Sequence, residues 1–454
     1  MAAEPLWKPI ASCSPSDQSA DARSCLAVTV AKLKPEAPRL DIRLPAMTFD
    51  IALTRLSATA VGGGVVWDGI AKDGTRATFS AYKSALVGDV ARPDGRLYRL
   101  RTNARGVAVV EQVDLSKLKR VEPTLPALPV LSGGPSLPRP PAPTPLPPGP
   151  PPPPPPAPAP SPMPAPAPAP SPASTPAPAP TPPGPASETP AAATCPNPAT
   201  QINALVLYTS KAAGAAGGED SIRALINQAT LDTNHALTDS AVNASLNLVD
   251  VQQIGYDDET RPIDRTLGIL IDPTDVGSDS ATLNNVQGLR ASAKADVVFL
   301  VIDIPLQVAG TAYTLSPFFI SSGASFSPYA YAVVTQSALT MSGGYGFTHE
   351  LGHLMGANHE TSTGGAFDYS RGMSGAGKSA CQPWGTLMAG PVCNGCTQLR
   401  LWSTPKLTRC SEPIGIADLN DNARTIQDTR TIVSQFGCSL AGASPSASPA
   451  PLPR

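Results

Sequence analysis

Histidine is scarce in this chain, with four residues in 454, so where those four fall carries information. Neither sign of charge dominates: 33 Lys and Arg face 35 Asp and Glu, a net of −2. That balance argues against a general binder of nucleic acid or of anionic membranes, which needs a basic surplus. Long apolar runs are missing as well. No stretch of 18 apolar residues occurs, which excludes a membrane-spanning helix. The opening residues, Met1-Ala2-Ala3-Glu4-Pro5-Leu6-Trp7-Lys8, lack the basic and long apolar regions of an export signal.

Three of the four histidines lie within eleven residues, His349-Glu350-Leu351-Gly352-His353-Leu354-Met355-Gly356-Ala357-Asn358-His359. His349 and His353, four apart, fall on one face of a helix, one turn from each other, and can grip one ion. Catalytic zinc takes three protein ligands and keeps one position for water. His359 completes the set if the helix stops after His353. Gly356 suits that stop, since glycine tolerates the left-handed backbone that ends helices, and Asn358 is turn-prone. Glu350 points to a different part of the helix surface, within reach of a metal-bound water. Zinc lowers the pKa of such a water and polarises a carbonyl; Glu350 is the candidate general base, then acid. His235, in the polar helical stretch Asp232-Thr233-Asn234-His235, reads as a surface or packing residue.

The histidine motif resembles the zinc signature of the metzincins. The resemblance implies a methionine in a tight turn below the metal. Thr386-Leu387-Met388-Ala389-Gly390 matches that turn better than Arg371-Gly372-Met373-Ser374-Gly375 does. Among metzincins the chain is most similar to reprolysin-like bacterial enzymes, the peptidyl-Asp metalloendopeptidases. Leu401-Trp402-Ser403-Thr404-Pro405 resembles their wall segment, Asp421-Asn422-Ala423-Arg424-Thr425-Ile426 the start of their last helix, and Ala309-Gly310-Thr311-Ala312-Tyr313 their edge strand. The similarity runs from about Cys195 to Cys438. It implies an α/β (α+β) catalytic domain with a twisted mixed sheet, a zinc-site helix and a Met-turn. It also implies one catalytic Zn2+ and protein or peptide substrates. Thr311–Leu315 is the candidate edge for pairing with an extended substrate. One departure stands out: Glu360 follows the third histidine where reprolysins usually carry Asp.

Four segments are expected: a small, mostly β domain at 1–122, a long Pro/Ala-rich disordered linker at 123–194, the catalytic domain at 195–440, and a disordered tail at 441–454. The tract from Pro123 to Pro190 holds 33 of the 55 prolines, which rules out helix and central strand. Before it, strands are expected near 49–56, 64–70, 77–87, 97–102 and 106–113, with turns at Asp73-Gly74 and Pro93-Asp94-Gly95. Val65-Val66-Trp67-Asp68-Gly69 and Pro93–Arg99 resemble a reprolysin propeptide, which makes this domain a candidate intramolecular inhibitor. The first 122 residues carry 18 basic and 13 acidic side chains, a net of +5; residues 195–440 carry 13 and 21, a net of −8. Opposite charge favours docking of the two. After the tract, strands are expected at 202–208, 246–251, 296–304 and, as an edge strand, 329–335. Helices are expected at 221–236, 282–295, 344–355 and 422–436.

Cys13 and Cys25 precede the tract; Cys195, Cys381, Cys393, Cys396, Cys410 and Cys438 follow it. Even numbers on both sides suit disulfides formed outside the cytosol, so a leader is expected to have been removed or truncated. A Cys13–Cys25 disulfide is preferred over either thiol acting as a zinc switch. Asp418-Leu419-Asn420-Asp421-Asn422 is calcium-like, but it lacks the Gly and terminal Glu of an EF-hand loop; a helix N-cap suits it better. The expected function is a secreted zinc endopeptidase made as a latent precursor. The alternative is a non-catalytic secreted binding protein on a metzincin scaffold, in which Glu350 would have no task.

Overall fold

The computed structural model describes residues 63–102, 107–113, 200–256, 261–272, 283, 285–304, 309–322, 325–341, 344–377, 382–390 and 396–439. It describes only the backbone of strands 7–10, 20–28, 42–44, 47–49 and 53–58 and of residues 107 and 439. The expectations for the proline tract, the tail, the Cys13–Cys25 pairing, Cys195, Cys381 and Cys393 fall outside the described residues. Met1–Leu128 and Cys195–Arg454 belong to one compact unit, from which 129–194 is set apart.

Before the tract the chain forms β1 (Trp7–Ile10), β2 (Ala20–Val28), a hairpin of β3 (Ile42–Leu44) and β4 (Met47–Phe49), then β5 (Leu53–Ala58), β6 (Val65–Ile70), β7 (Arg76–Tyr82), β8 (Ala85–Ala91), β9 (Leu97–Thr102) and β10 (Val107–Val113). Eight of these make one antiparallel sheet in the order β1-β2-β10-β9-β8-β7-β6-β5. The run expected over 77–87 is two strands. Lys83 adopts φ 46° and, with Ser84, turns the chain so that Tyr82 pairs with Ala85.

After the tract come β11 (Gln201–Thr209), α1 (Ser210–Ala216), α2 (Glu219–Asp239), β12 (Ser245–Ile254), α3 (Ile263–Ile271), α4 (Val286–Ala293), β13 (Val297–Ile302), β14 (Gly310–Ala312), β15 (Tyr331–Thr335), α5 (Gly346–Leu354) and α6 (Asn422–Val433). The five strands form a mixed sheet, β12-β11-β13-β15-β14. All its pairs are parallel except β14 with β15. β13 reads Val-Val-Phe-Leu-Val-Ile and every residue is buried, as parallel strands covered on both faces require. One expectation is corrected here. The strand expected at 329–335 is not an edge, because β15 lies between β13 and β14. Of the helix expected over 282–295, the described residues are helical at Leu283 and across Val286–Ala293, and the helix ends where Lys294 turns left-handed at φ 50°.

α2 is buried on two faces. Ile222, Ile226, Ala229, Thr233 and Leu237 recur at helical spacing and lie on the side of the helix buried against the core around β11 and β13. Thr233 there meets Thr348 of α5, hydroxyl to hydroxyl at 2.9 Å. The polar face, Ser221, Gln228, Asp232 and His235, turns to the N-terminal sheet. Ser221 Oγ donates to the Thr102 carbonyl (2.8 Å), Gln228 Nε2 donates to Asp89 (2.8 Å), and His235 Nδ1 lies 3.0 Å from Asp68. His235 is therefore a packing residue rather than a surface one.

Arg400 completes this buried group, reaching Asp232 and Asp239 at 3.2 Å each. Burial pushes Asp232 up to about 7, against the pull of Arg400, with Asp89 and Asp68 adding to the rise. Burial, then Arg400, lowers His235 to about 4, so the 3.0 Å contact with Asp68 is made by an uncharged imidazole near neutrality. The two groups drive stability in opposite directions. The folded protein holds an extra proton on Asp232 between about 3.8 and 7, so that contribution falls as pH rises. The unfolded chain holds an extra proton on His235 between about 4 and 6.5, so that contribution rises with pH. Relative to wild type, Asp232→Asn should make the urea midpoint climb more steeply with pH over this window, and His235→Gln should make it fall. Parallel pH profiles for all three proteins would rule this out.

Candidate metal centre

α5 begins at Gly346 and carries His349, Glu350 and His353, all buried. It ends as the sequence predicts. Gly356 takes φ +86°, its N–H donates to the His353 carbonyl (2.9 Å), and the Ala357 N–H donates to the Gly352 carbonyl (2.8 Å). That pair of bonds is the Schellman termination. The chain then reverses, and Asn358 Oδ1 accepts from the His359 N–H at 2.8 Å.

The three imidazoles converge. Nε2 of His359 lies 3.1 Å from Nε2 of His349 and 3.2 Å from Nε2 of His353. The ligand atoms of the trio all fall within 4.8 Å of one another. The far side of two rings is held. His349 Nδ1–H donates to the Leu387 carbonyl at 2.6 Å, and His353 Nδ1 meets Thr314 Oγ at 3.1 Å. A carbonyl can only accept, so His349 carries its proton on Nδ1 and offers an Nε2 lone pair to the centre. Outer contacts of this kind fix ring orientation in metal sites. Three imidazole nitrogens directed at one point suit zinc in donor type and number.

Glu350 is 1% exposed and lies against the edge strand β14. A Cβ at Gly310 would come 2.6 Å from Glu350 Oε1 and 2.9 Å from the Val333 carbonyl. Any larger residue there would push the carboxylate aside. Met388, not Met373, abuts the histidine helix. A Cβ at Gly352 would stand 3.1 Å from Met388 Sδ and 2.6 Å from the Trp402 ring. Met373 is only partly buried and packs in a separate cluster with Trp384, Leu399 and Ile414. Glu360 accepts from Ser374 Oγ at 2.7 Å. Asp421 caps α6, accepting from the Arg424 N–H at 3.1 Å, as expected of the calcium-like stretch.

Asn422 was legible only as a helix start, yet it clamps the loop that delivers His359. Its Nδ2 donates to the Asn358 carbonyl (3.0 Å) and its Oδ1 accepts from the Asn358 N–H (3.3 Å). Thr314 likewise carried no signal: a lone threonine after a short strand says nothing until the fold sets it beside His353. β14 is shorter than the expected Thr311–Leu315 edge, and residues 313–315 continue past the ladder to reach His353.

Residues 199–403 match a reprolysin model described as Metallo-peptidase family M12. Over that segment the chain is similar to reprolysin-like metallopeptidases. The chain is 30% identical over 250 residues to a peptidyl-Asp metalloendopeptidase of Stenotrophomonas maltophilia (strain R551-3), covering 54% of this chain and 55% of that one. It is 30% identical over 257 residues to the protein of that name from Xanthomonas campestris pv. campestris, covering 56% of each. The chain thus spans about half the length of the curated relatives it matches. The solved structure of metalloproteinase-II from Bacteroides fragilis overlaps 70% of this chain and 80% of that one at 11% identity, with a TM-score of 0.37, and adds nothing to the assignment.

Proposed function

We propose that this protein is a zinc-dependent endopeptidase that acts on internal peptide bonds of proteins. The observation that carries the reading is the convergence of three imidazole nitrogens beside a buried carboxylate at a sheet edge. His349, His353 and His359 would hold the ion, with Met388 as the floor beneath it. Zinc, when bound, supplies Lewis acidity toward a substrate carbonyl and toward water. The remaining work falls to the chain. β14 presents an edge to which an extended substrate adds as a strand. Glu350, held against that edge, takes a proton from the attacking water as its oxygen joins the carbonyl carbon. The carboxyl then passes the proton to the amine nitrogen as the C–N bond breaks. An Asp preference is not carried over from the relatives' name, because Glu360 departs from the reprolysin pattern.

The protein is read as exported and made as a precursor, with the segment before the proline tract as its regulator. Export is supported by the absence of any free cysteine among the described residues, where Cys396, Cys410 and Cys438 are disulfide-bonded. The test is hydrolysis of casein. 1,10-Phenanthroline should abolish it and added zinc should restore it. A zinc-replete protein that leaves casein intact would instead favour a binding protein on this scaffold.

A further inference from the structure

The polar face of α2 is covered by the N-terminal sheet, and that contact has the character of a core. Tyr82, Ala85 and Val87 of β7, β8 and their turn are buried in the same hydrophobic cluster as β11, α2 and β13. Arg223 of α2 lies over the Tyr82 ring at 5.8 Å and the Tyr208 ring at 5.5 Å, bridging the two segments. The polar contacts are buried as well. Asp89 and Asp232 are both at 0% exposure, Gln228 bonds Asp89, and Ser221 bonds the Thr102 carbonyl. Arg101 of β9 donates to Thr340 Oγ at 3.0 Å, just before the histidine helix. At the rim, Ser84 Oγ donates to Asp220 at 2.7 Å and Lys83 lies 3.8 Å from the same carboxylate. Apolar, densely bonded contacts of this type mark permanent rather than transient interfaces.

We propose that the N-terminal β domain is a permanent subunit of the folded protein, one that stays seated on α2 after the chain is cut in the proline tract. Stripping it away would expose Tyr82 and Val87 to water and leave buried polar groups of α2 without partners, which is costly. From this seat the sheet braces α5 at second hand, through Thr233 against Thr348 and through Arg101 on Thr340. The inference rests on the fold and not on the peptidase reading, so the two can fail separately.

The experiment places a site for a specific protease within residues 129–194 of the full chain. The cut protein is then passed over a gel-filtration column at low and high salt. Co-elution of both fragments supports the proposal; elution of the N-terminal fragment as a free species overturns it, whatever the peptidase activity. A Ser221→Ala/Gln228→Ala variant removes two buried bonds, and each should weaken the association of cut fragments about tenfold. Unchanged association in that variant would show that α2 is not the seat. Because both losses are read on cut protein already shown to co-elute, a folding defect appears separately in the uncut chain.

Discussion

Replacing Glu350 by glutamine is expected to lower kcat/KM by about 10²- to 10⁴-fold while zinc content stays at the wild-type level. The size is that of removing a positioned general base, about 3–5 kcal/mol of barrier at 1.36 kcal/mol per tenfold. Glutamine keeps the shape of the side chain packed on Gly310, so the sheet edge and the histidine rings should not move. What it loses is the ability to take up a proton near neutrality. Initial rates on a quenched peptide, with metal measured by atomic emission on the same sample, decide the matter. Wild-type rates at wild-type zinc would remove Glu350 from the mechanism. Low rates with low zinc would instead make it a residue that holds the ligand helix in place.

The second large effect concerns stability. At pH 8, where the wild type holds Asp232 ionised beside Arg400, Arg400→Met should destabilise the protein by about 3–5 kcal/mol, the cost of stripping the partner from a buried charge, or on the order of 10 °C in melting temperature. Arg400 spans Asp232 and Asp239, and Asp232 is fully buried. Without the guanidinium, Asp232 faces Asp89 and Asp68 with no compensating cation at 3.2 Å. The double variant Arg400→Met/Asp232→Asn should recover much of the loss, because a neutral amide can stay buried at lower cost. Calorimetry of the wild type, both singles and the double reads the coupling. A single variant within about 1 kcal/mol of wild type would show that the pair contributes little.

The two predictions probe parts of the molecule that differed greatly in how well the sequence announced them. The histidine motif was fully legible. Helix periodicity alone sets His349 and His353 one turn apart, and Gly356 alone supplies the left-handed stop that turns the chain toward His359. That Met388 rather than Met373 abuts the histidine helix is a fact of packing. β13 was legible from six consecutive apolar residues, although the same run could not say which strands flank it. The edge position assigned to 329–335 failed for that reason: pairing order is a non-local fact, and β14 closes the sheet with only three residues.

His235 and its neighbours were the instructive failure. Asp232-Thr233-Asn234-His235 reads as a solvated helix face because polar side chains normally face water. Here a second sheet, delivered across a proline tract from the other end of the chain, covers that face and leaves Asp232 without water. No local pattern records that covering.

The sequence by itself determined the histidine spacing, the helix termination and the adjacent carboxylate, since all are local properties of eleven residues. The tertiary structure decided what holds those residues in place. Asn422 clamps the loop that carries His359, Thr314 and the Leu387 carbonyl orient two rings, Gly310 makes room for Glu350, and the N-terminal sheet seats on α2. These hydrogen bonds join residues from 38 to 139 positions apart, from Leu387–His349 at 38 and Thr314–His353 at 39 to Gln228–Asp89 at 139. Over such separations the chain's own conformational preferences carry no information, and only packing brings the partners together.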